Sequence, residues 1–332
     1  MTVREELGQL SWFMKEHRTP SSWLRQWRAI RGLQLPPLPR RRRRLGAVWA
    51  ITMVKDELDV LPEVLDHLLA QGIDQILVAD NLSTDGTREY LRERSEHEPR
   101  LLLALDQEPA YFQAAKMSWL AHCAWRSGAD WVVPFDGDEF WFARDASVGD
   151  FLRNSPVNVV HASFHHMVPL SPAPSPLAQA EFILDSHPSW PGKVAVRTHP
   201  FATIVRGNHA ANRVGRTSNG LFIAHAQYRS PVQVARKVRQ GTAAARLTGG
   251  DVGVLTPHWA QAEGLDSAEV AQVWENISHG RPDERIQFKA VGPMVTVRPL
   301  RWTTWDPDGQ VPLQSQHHAS TPENPAESPD HD

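Results

Sequence analysis

The chain has 332 residues, of which 41% are hydrophobic and 22% are charged, and its formal net charge is -3. These values are ordinary for a globular protein, so they exclude a wholly disordered chain and favour one large domain with appendages. The sequence shows no apolar run of membrane-spanning length and no secretory leader, which argues against a membrane span and predicts a cytoplasmic protein. Its single cysteine argues against a disulfide framework.

Residues 1–45 form an extension ahead of the predicted catalytic domain. Apolar residues recur there at helical spacing and the pattern breaks at Thr19, which predicts two short helices. A proline-rich stretch, Leu35 to Pro39, then runs into five arginines, Arg40 to Arg44, and is typical of a linker. These arginines are either a solvated spacer or a contact with anionic lipid head groups, the latter placing the protein peripherally at the inner face of the membrane.

Residues 46–150 show strands and helices in alternation and form the first half of the predicted domain. The predicted elements are strand 47–54, helix 62–71, strand 75–79, helix 87–95, strand 101–105, helix 112–126 and strand 131–135. This alternation is typical of an α/β fold with a Rossmann-like, mostly parallel sheet flanked by helices. Because ligands bind such sheets at the carboxyl ends of the strands, we expect the polar residues after each strand to face one cleft.

Several carboxylates follow these strands. In chain order they are Glu57, Asp80, Asp85, Asp106, Asp136 and Asp138. Like charges brought close together disfavour ionisation, and a bound divalent cation would relieve the repulsion. Asp136 and Asp138 flank Gly137 at the end of a buried strand, and such carboxylates bind Mn2+ or Mg2+ together with substrate phosphates. A solvated acidic turn is the alternative for this short motif, and helix capping is the alternative for Asp85.

Residues 151–305 have a weaker pattern and are predicted to bind the acceptor, with C-terminal helices. We expect an irregular proline-rich loop at 169–176, short strands between 193 and 226, and a basic helix over 231–245. Residues 306–332 are polar and proline-rich, which predicts a disordered tail.

Two further roles fall on individual side chains. Glu181 is the candidate general base, because Glu181 and Asp185 are the only carboxylates between residues 151 and 250; a surface role is the alternative. Lys116 and Lys193 are candidate nucleotide-sugar-binding residues, since cations stabilise the charge of a departing diphosphate.

Three motifs follow the predicted strands within residues 47–142. They are Lys55-Asp-Glu57, Asp80-Asn-x-Ser83-Thr-Asp85-Gly86-Thr87 and Asp136-Gly-Asp138-Glu139-Phe140. Together they resemble the family 2-like glycosyltransferases, in the branch whose acidic motif reads Asp-x-Asp-Glu-Phe. A later segment, His225-Ala-Gln-Tyr228-Arg-Ser230 followed by Lys237, looks like that branch's His-Tyr and Ser segment before a basic helix.

The resemblance implies a GT-A fold and a metal-dependent site for a nucleotide-sugar, with residues 46–150 as the nucleotide-sugar-binding half. The implied nucleotide-sugar-binding residues are Glu57, Asp80, Asp85 and Asp136, and the implied metal ligands are Asp136, Asp138 and His225. Asp80 would lie near the nucleobase or ribose and Glu57 near the nucleoside, while ordinary packing is the alternative for His225. Where the branch has a Trp and Phe-Gly pattern, this chain has Phe164-His165-His166-Met167, so the acceptor stays open.

The predicted function is transfer of a sugar from a nucleotide-sugar donor to a hydroxyl of a saccharide or glycolipid, with a divalent metal and with inversion. The first alternative is a nucleotidyltransferase, whose Gly-rich basic loop after the first strand is replaced here by Lys55-Asp56-Glu57. The second alternative is a non-catalytic module that binds carbohydrate or a membrane surface. A nucleic-acid partner is not expected.

Overall fold

The computed structural model describes residues 3–39, 45–172, 177, 180–250, 257–286 and 288–311. Arg40 to Arg44, the second half of the proline-rich loop at 169–176 and the tail from residue 312 lie outside the described residues. The helices are α1 Val3–Glu16, α2 Pro20–Gly32, α3 Leu61–Ala70, α4 Thr87–His97, α5 Gln113–Arg126, α6 Val148–Asn154, α7 Pro231–Arg246, α8 Pro257–Ala262 and α9 Ser267–Ser278.

The strands of the described residues join in one large sheet and one short hairpin. They are β1 Leu33–Gln34, β2 Val48–Val54, β3 Gln75–Asp80, β4 Leu101–Asp106, β5 Trp131–Pro134, β6 Glu139–Ala143, β7 Val159–Pro169, β8 Phe182–Asp185, β9 Ser189–Arg197, β10 Thr203–Ile204, β11 Ala211–Asn212, β12 Thr217–His225 and β13 Met294–Val297. The main path of the sheet runs β1-β4-β3-β2-β5-β9-β7-β12-β6.

The first half of this sheet is parallel, as the alternation of elements predicts. Strands β4, β3, β2 and β5 lie side by side and all run in one direction. Val54 at the end of β2 pairs with Asp80 at the end of β3, so these two strands finish level. The segments that follow them therefore begin at the same edge of the sheet, which is where ligands bind in folds of this kind.

Both faces of the parallel sheet are covered by helices. Val48 and Ala50 of β2 belong to one apolar cluster, which includes α3, whereas the alternate residues Trp49 and Ile51 belong to a second cluster, which includes α5. Side chains alternate across a strand, so a strand that buries every residue must be packed on both sides. This arrangement confirms the predicted α/β class with a sheet flanked by helices.

The second half of the sheet is mixed and brings a distant strand to the acidic motif. β9 runs antiparallel to β5 and β7, whereas β12 runs parallel to β7 and antiparallel to β6. β6 begins at Glu139, directly after Asp138, and Glu139 pairs with His225 at the end of β12. The pairing of β6 with β12 therefore places His225 beside the acidic motif, although 87 residues separate it from Asp138 in the chain.

Local signals in the sequence mark several helix boundaries. The Thr19 side chain accepts a hydrogen bond from the Ser22 backbone at 3.2 Å and begins α2, and Ser147 begins α6 in the same way. Gly72 follows α3 with φ of +76°, a conformation that favours glycine. In the described part of the chain, none of the helices has both the length and the apolar composition needed to cross a bilayer.

Candidate active site

A cleft of about 640 Å3 opens at the carboxyl edge of β2, β3 and β5. Its charged and titratable lining includes Lys55, Glu57, Asp136, Asp138, His166, Lys193, Arg206, His209, His225 and Lys237. These residues come from the ends of parallel strands, from β7, from β9 and the turn before β11, from the end of β12 and from α7. Residues far apart in the chain thus meet at the edge that the sequence pattern predicts for a ligand.

Asp138 is the most enclosed carboxylate of the cleft and is surrounded by positive groups. Its Oδ1 lies 3.3 Å from His225 Nε2, its Oδ2 accepts a hydrogen bond from Lys237 Nζ, and Arg229 Nη1 is 3.6 Å away. Burial alone would raise the pKa of Asp138, but Lys237, His225 and Arg229 hold that pKa well below its ordinary value of 3.8. Asp138 is therefore a buried, ionised carboxylate.

Asp136 shares the cleft but has a different set of partners. It accepts hydrogen bonds from Lys193 Nζ at 2.7 Å and from Asn208 Nδ2 at 3.0 Å. Lys193 also lies 3.1 Å from Glu139 Oε1. Burial lowers the pKa of Lys193, but the nearby Asp136 and Glu139 carboxylates outweigh burial and raise it above the ordinary value. Lys193, which the sequence analysis proposed as a phosphate contact, thus holds the first acidic residue of the motif.

Arg229 is a buried cation of the site that the sequence analysis gave no role. It is fully buried, it pairs with Glu57, and its Nε donates to Asp59 Oδ2 at 2.7 Å. The same Glu57 lies 3.3 Å from Lys237. Burial would lower the pKa of Arg229, but these carboxylates raise it, so the guanidinium stays charged. Arg229 ties the segment after β2 to the start of α7.

The helix α7 presents one face to the cleft. Lys237, Gln240, Gly241 and Ala244 line the cleft at helical spacing. An added Cβ at Gly241 would come within 2.0 Å of the Trp259 ring, so glycine permits this close approach. Because these residues recur at helical spacing, the face of α7 that lines the cleft could have been identified from the sequence.

The donor atoms present suit a divalent cation, although the predicted set of three ligands is not assembled. Asp138 and His225 face each other, whereas Asp136 is turned to Lys193. Among the described residues, no three His, Cys, Asp or Glu side chains are grouped closely enough to hold a metal ion by themselves. Mg2+ and Mn2+ commonly bind through one or two carboxylates and complete their shell with substrate phosphates and water. An ionised carboxylate facing an imidazole fits that mode.

Asp80 and Asp85 lie at the predicted strand end but not in the cleft lining. Asp80 is fully buried and its Oδ2 accepts a hydrogen bond from Arg88 Nε on α4 at 2.6 Å, while its Oδ1 has no partner. Asp85 accepts hydrogen bonds from the backbone of Leu58 and from Thr87. The structure does not bring Asp80 to the carboxylates of the cleft lining, because Arg88 holds its side chain, and its place near the nucleobase or ribose stays a prediction.

Lys116 and Glu181 are not brought to the cleft. Lys116 is fully buried, pairs with Asp106 at 2.6 Å and donates to the Glu108 carbonyl oxygen, because an enclosed ammonium requires a carboxylate partner. Glu181 is half exposed, pairs with Arg298 and lines a separate cavity. A general base must reach the acceptor hydroxyl, so this placement corrects the expectation that Glu181 serves the cleft.

Aromatic side chains also line the cleft, and among them the exposed Trp190 marks its outer part. Its aromatic lining is Tyr111, Phe164, Trp190, Tyr228, Trp259 and Phe288. The Trp190 side chain is 81% exposed despite its size. His166 lies in the same region, and burial together with the nearby His225 lowers its pKa to about 3, so it is neutral at physiological pH. The outer cleft therefore offers large apolar faces, whereas the inner cleft is ionic.

Comparison with known proteins places this site in a family. Residues 49–159, which contain Glu57, Asp136 and Asp138, match the profile described as Glycosyl transferase family 2. These residues form a family 2 glycosyltransferase domain. The match confirms the resemblance to family 2 glycosyltransferases and the predicted enzyme class.

Two solved structures are similar to this glycosyltransferase at low identity. The mannosyltransferase PcManGT from Pyrobaculum calidifontis, in complex with GDP-Man and Mn2+, has 17% identity and a TM-score of 0.39, covering 82% of this chain and 92% of its own. TarS residues 1–349 from S. aureus have 11% identity and a TM-score of 0.32, covering 70% of this chain and 79% of their own. A search of curated proteins found no match.

Proposed function

We propose that this glycosyltransferase moves a sugar from a nucleoside diphosphate sugar to a hydroxyl of a saccharide or glycolipid, with a divalent cation held at Asp138. The observation that carries the proposal is that His225, Lys237 and Arg229 cluster around Asp138, which lies within the residues that match family 2. A departing diphosphate gains negative charge, and fixed cations at that position stabilise it.

The cation would be held by Asp138 and His225, with Asp136 beside them. When bound, it would neutralise charge on the diphosphate of the donor. Lys237 is 20% exposed and lies on α7 at the cleft, so its ammonium can leave Asp138 for a phosphate oxygen without crossing the core. Arg229 is fully enclosed and is held by carboxylates, so we assign it the positioning of Glu57 and α7 rather than contact with the donor.

The nucleoside of the donor is proposed to lie toward the ends of β2 and β3. Glu57 and Asn81 line this part of the cleft. Asp80 adjoins Asn81 but lies outside the cleft lining, and its Oδ1 is buried without a hydrogen-bond partner, whereas buried carboxylate oxygens are normally paired. Its proposed place near the nucleobase requires that a donor N–H of the bound nucleoside reach this oxygen. Asp85 supports the loop from behind by accepting backbone hydrogen bonds.

The acceptor is proposed to bind at the aromatic outer cleft. Trp190 offers an exposed ring at the cleft, and a large aromatic side chain that stays in water without a partner is suited to stack on a sugar face. Direct displacement with inversion follows from the resemblance to family 2-like enzymes. Proton NMR of the first-formed product tests it, because retention of the donor's anomeric configuration would rule out a single displacement.

The activity is tested by incubating the full chain with UDP-, GDP-, CDP- and dTDP-sugars, with Mn2+ or with EDTA. We expect release of one nucleoside diphosphate, stimulated by a saccharide acceptor and abolished by EDTA. Asp138→Asn should remove the activity, whereas Glu181→Gln, a matched carboxylate-to-amide change outside the cleft, should keep it. Full activity of Asp138→Asn, or pyrophosphate release from a nucleoside triphosphate without sugar transfer, would contradict the proposal.

A further inference from the structure

The N-terminal helices expose their apolar side chains instead of burying them. On α2, Trp23, Leu24 and Trp27 are 53%, 58% and 54% exposed, and their spacing places them on one face. Ala29 lies on the opposite face and is fully buried against Ala110 and Phe112. The helix therefore packs on the domain through a small residue and turns its large apolar side chains to solvent.

Helix α1 has the same inverted arrangement. Leu7 and Met14 are more than half exposed, and Leu10 lies between them on the same face. The buried residue of the opposite face is Gln9, which donates hydrogen bonds to the carbonyl oxygens of Phe201 and Asn212. Polar contacts thus hold α1 on the domain, and its apolar stripe is left without a partner among the described residues.

The outward face consists of Leu7, Leu10, Met14, Trp23, Leu24 and Trp27 and is called here the N-terminal apolar face. Monomeric soluble proteins rarely expose a contiguous set of large apolar side chains, and such sets mark interaction surfaces. The proposed function does not use this face, because none of these six residues lines the cleft.

The amino-acid sequence from the start of α2 onward is strongly basic. Residues 17–44 contain nine arginines and no acidic residue. The Arg31 guanidinium lies 5.0 Å from the Trp27 ring centroid, and the Lys15 ammonium lies 5.7 Å from that of Trp12. A partner for this segment must therefore accept apolar side chains and carry negative charge over an extended area.

We propose that the N-terminal apolar face docks on the surface of an anionic lipid bilayer. Tryptophan favours the boundary between head groups and acyl chains, and arginine keeps its charge in the head-group layer while its stem lies on apolar surface. Amphipathic helices with Trp and Leu on one side and basic residues around them lie in the plane of that boundary. Anionic lipids supply negative charge that complements Arg31 beside Trp27 and the arginine-rich sequence that follows α2.

Vesicle flotation of the full chain tests the inference. The vesicles are phosphatidylcholine alone and phosphatidylcholine with one quarter phosphatidylglycerol. We expect binding to the anionic vesicles, at least tenfold weaker binding to the neutral ones, and weakening in high salt. The double variant Trp23→Ser with Trp27→Ser should lose at least tenfold in binding. The matched control is Val291→Ser, which removes a side chain that is 58% exposed and lies outside both the cleft lining and the N-terminal apolar face, and which should bind like the unchanged protein.

Each other outcome overturns the proposal. Absence of binding to anionic vesicles by the folded chain would do so, with folding checked by circular dichroism. Equal binding of the Trp23, Trp27 double variant would show that this face is not the contact. Self-association in analytical ultracentrifugation that the same double variant abolishes, without vesicle binding, would assign the face to a second copy of the chain. Sugar transfer to a water-soluble acceptor is measured in parallel, so failure of the proposed function is seen separately.

Discussion

Replacing Lys237 by Met should tighten the binding of Mn2+ in the absence of nucleotide. The Lys237 ammonium contacts Asp138 Oδ2, the carboxylate proposed to hold the cation. A divalent cation must displace this ammonium before it can use that oxygen. Met keeps most of the aliphatic stem of lysine and removes the charge, so packing at α7 is largely preserved while the competitor is lost.

The size of the effect follows from the burial of the pair. An exposed ion pair contributes at most about 1 kcal/mol, whereas removing one partner of a buried pair costs about 3–5 kcal/mol. The Lys237 side chain is 20% exposed and that of Asp138 is 2% exposed, which places this pair between the two limits. We take about 2 kcal/mol, which corresponds to Mn2+ binding that is about 30-fold tighter.

Electron paramagnetic resonance of free Mn2+ measures this directly. The matched control is Lys15→Met on α1, outside the cleft lining, which should bind Mn2+ like the unchanged protein. The Lys237→Met variant should also bind nucleoside diphosphates more weakly, because a phosphate partner is lost. Unchanged or weaker Mn2+ binding in Lys237→Met would refute the reasoning, since Lys237 would then not compete with a cation for Asp138.

Three further outcomes follow from the site. Arg229→Met leaves the carboxylates of Glu57 and Asp59 without their buried partner. Urea denaturation should therefore show a loss of about 3–5 kcal/mol in the free energy of unfolding, and a loss under about 1 kcal/mol would contradict this prediction. Trp190→Ala should raise the KM for the acceptor about five- to tenfold and leave the KM for the donor unchanged, as steady-state kinetics can check; an equal rise in both would count against stacking. The pKa of Asp138 is lower in the folded protein than in the unfolded chain, so ionised Asp138 stabilises the fold above about pH 4. This contribution to the free energy of unfolding is lost as the pH falls through the lower, folded pKa. Below about pH 4, Tm should therefore fall more steeply in the unchanged protein than in Asp138→Asn, and parallel Tm curves would contradict this.

The parallel half of the fold could be predicted because its signals are local. Apolar runs, helix caps and the Gly72 turn each depend on a few neighbouring residues, and the strands β2, β3, β4 and β5 appear where the pattern places them. The acidic motif at the end of β5 could be located for the same reason. Its side chains do line a ligand-sized cleft.

The partners of those carboxylates depend on long-range packing and could not be predicted in the same way. The Asp136-Gly137 turn before β6 can be read locally, but nothing local indicates that β6 pairs with β12, and this pairing is what brings His225 to the site. The sequence around Lys116 gives no sign that its ammonium is paired, but in the structure Lys116 forms a buried ion pair with Asp106. Glu181 was selected because few carboxylates lie in its region, and composition carries no information about which side of a mixed sheet a residue faces.

The central claim is that Asp138 anchors a cation beside a bound nucleoside diphosphate. Isothermal titration of UDP, GDP, CDP and dTDP into the full chain, with Mn2+ and with EDTA, tests it most directly when repeated with Asp138→Asn. The account predicts that one of the four binds in Mn2+, and that EDTA or the substitution each weakens it by at least tenfold. Equal affinity for that nucleotide in all three conditions would contradict the claim.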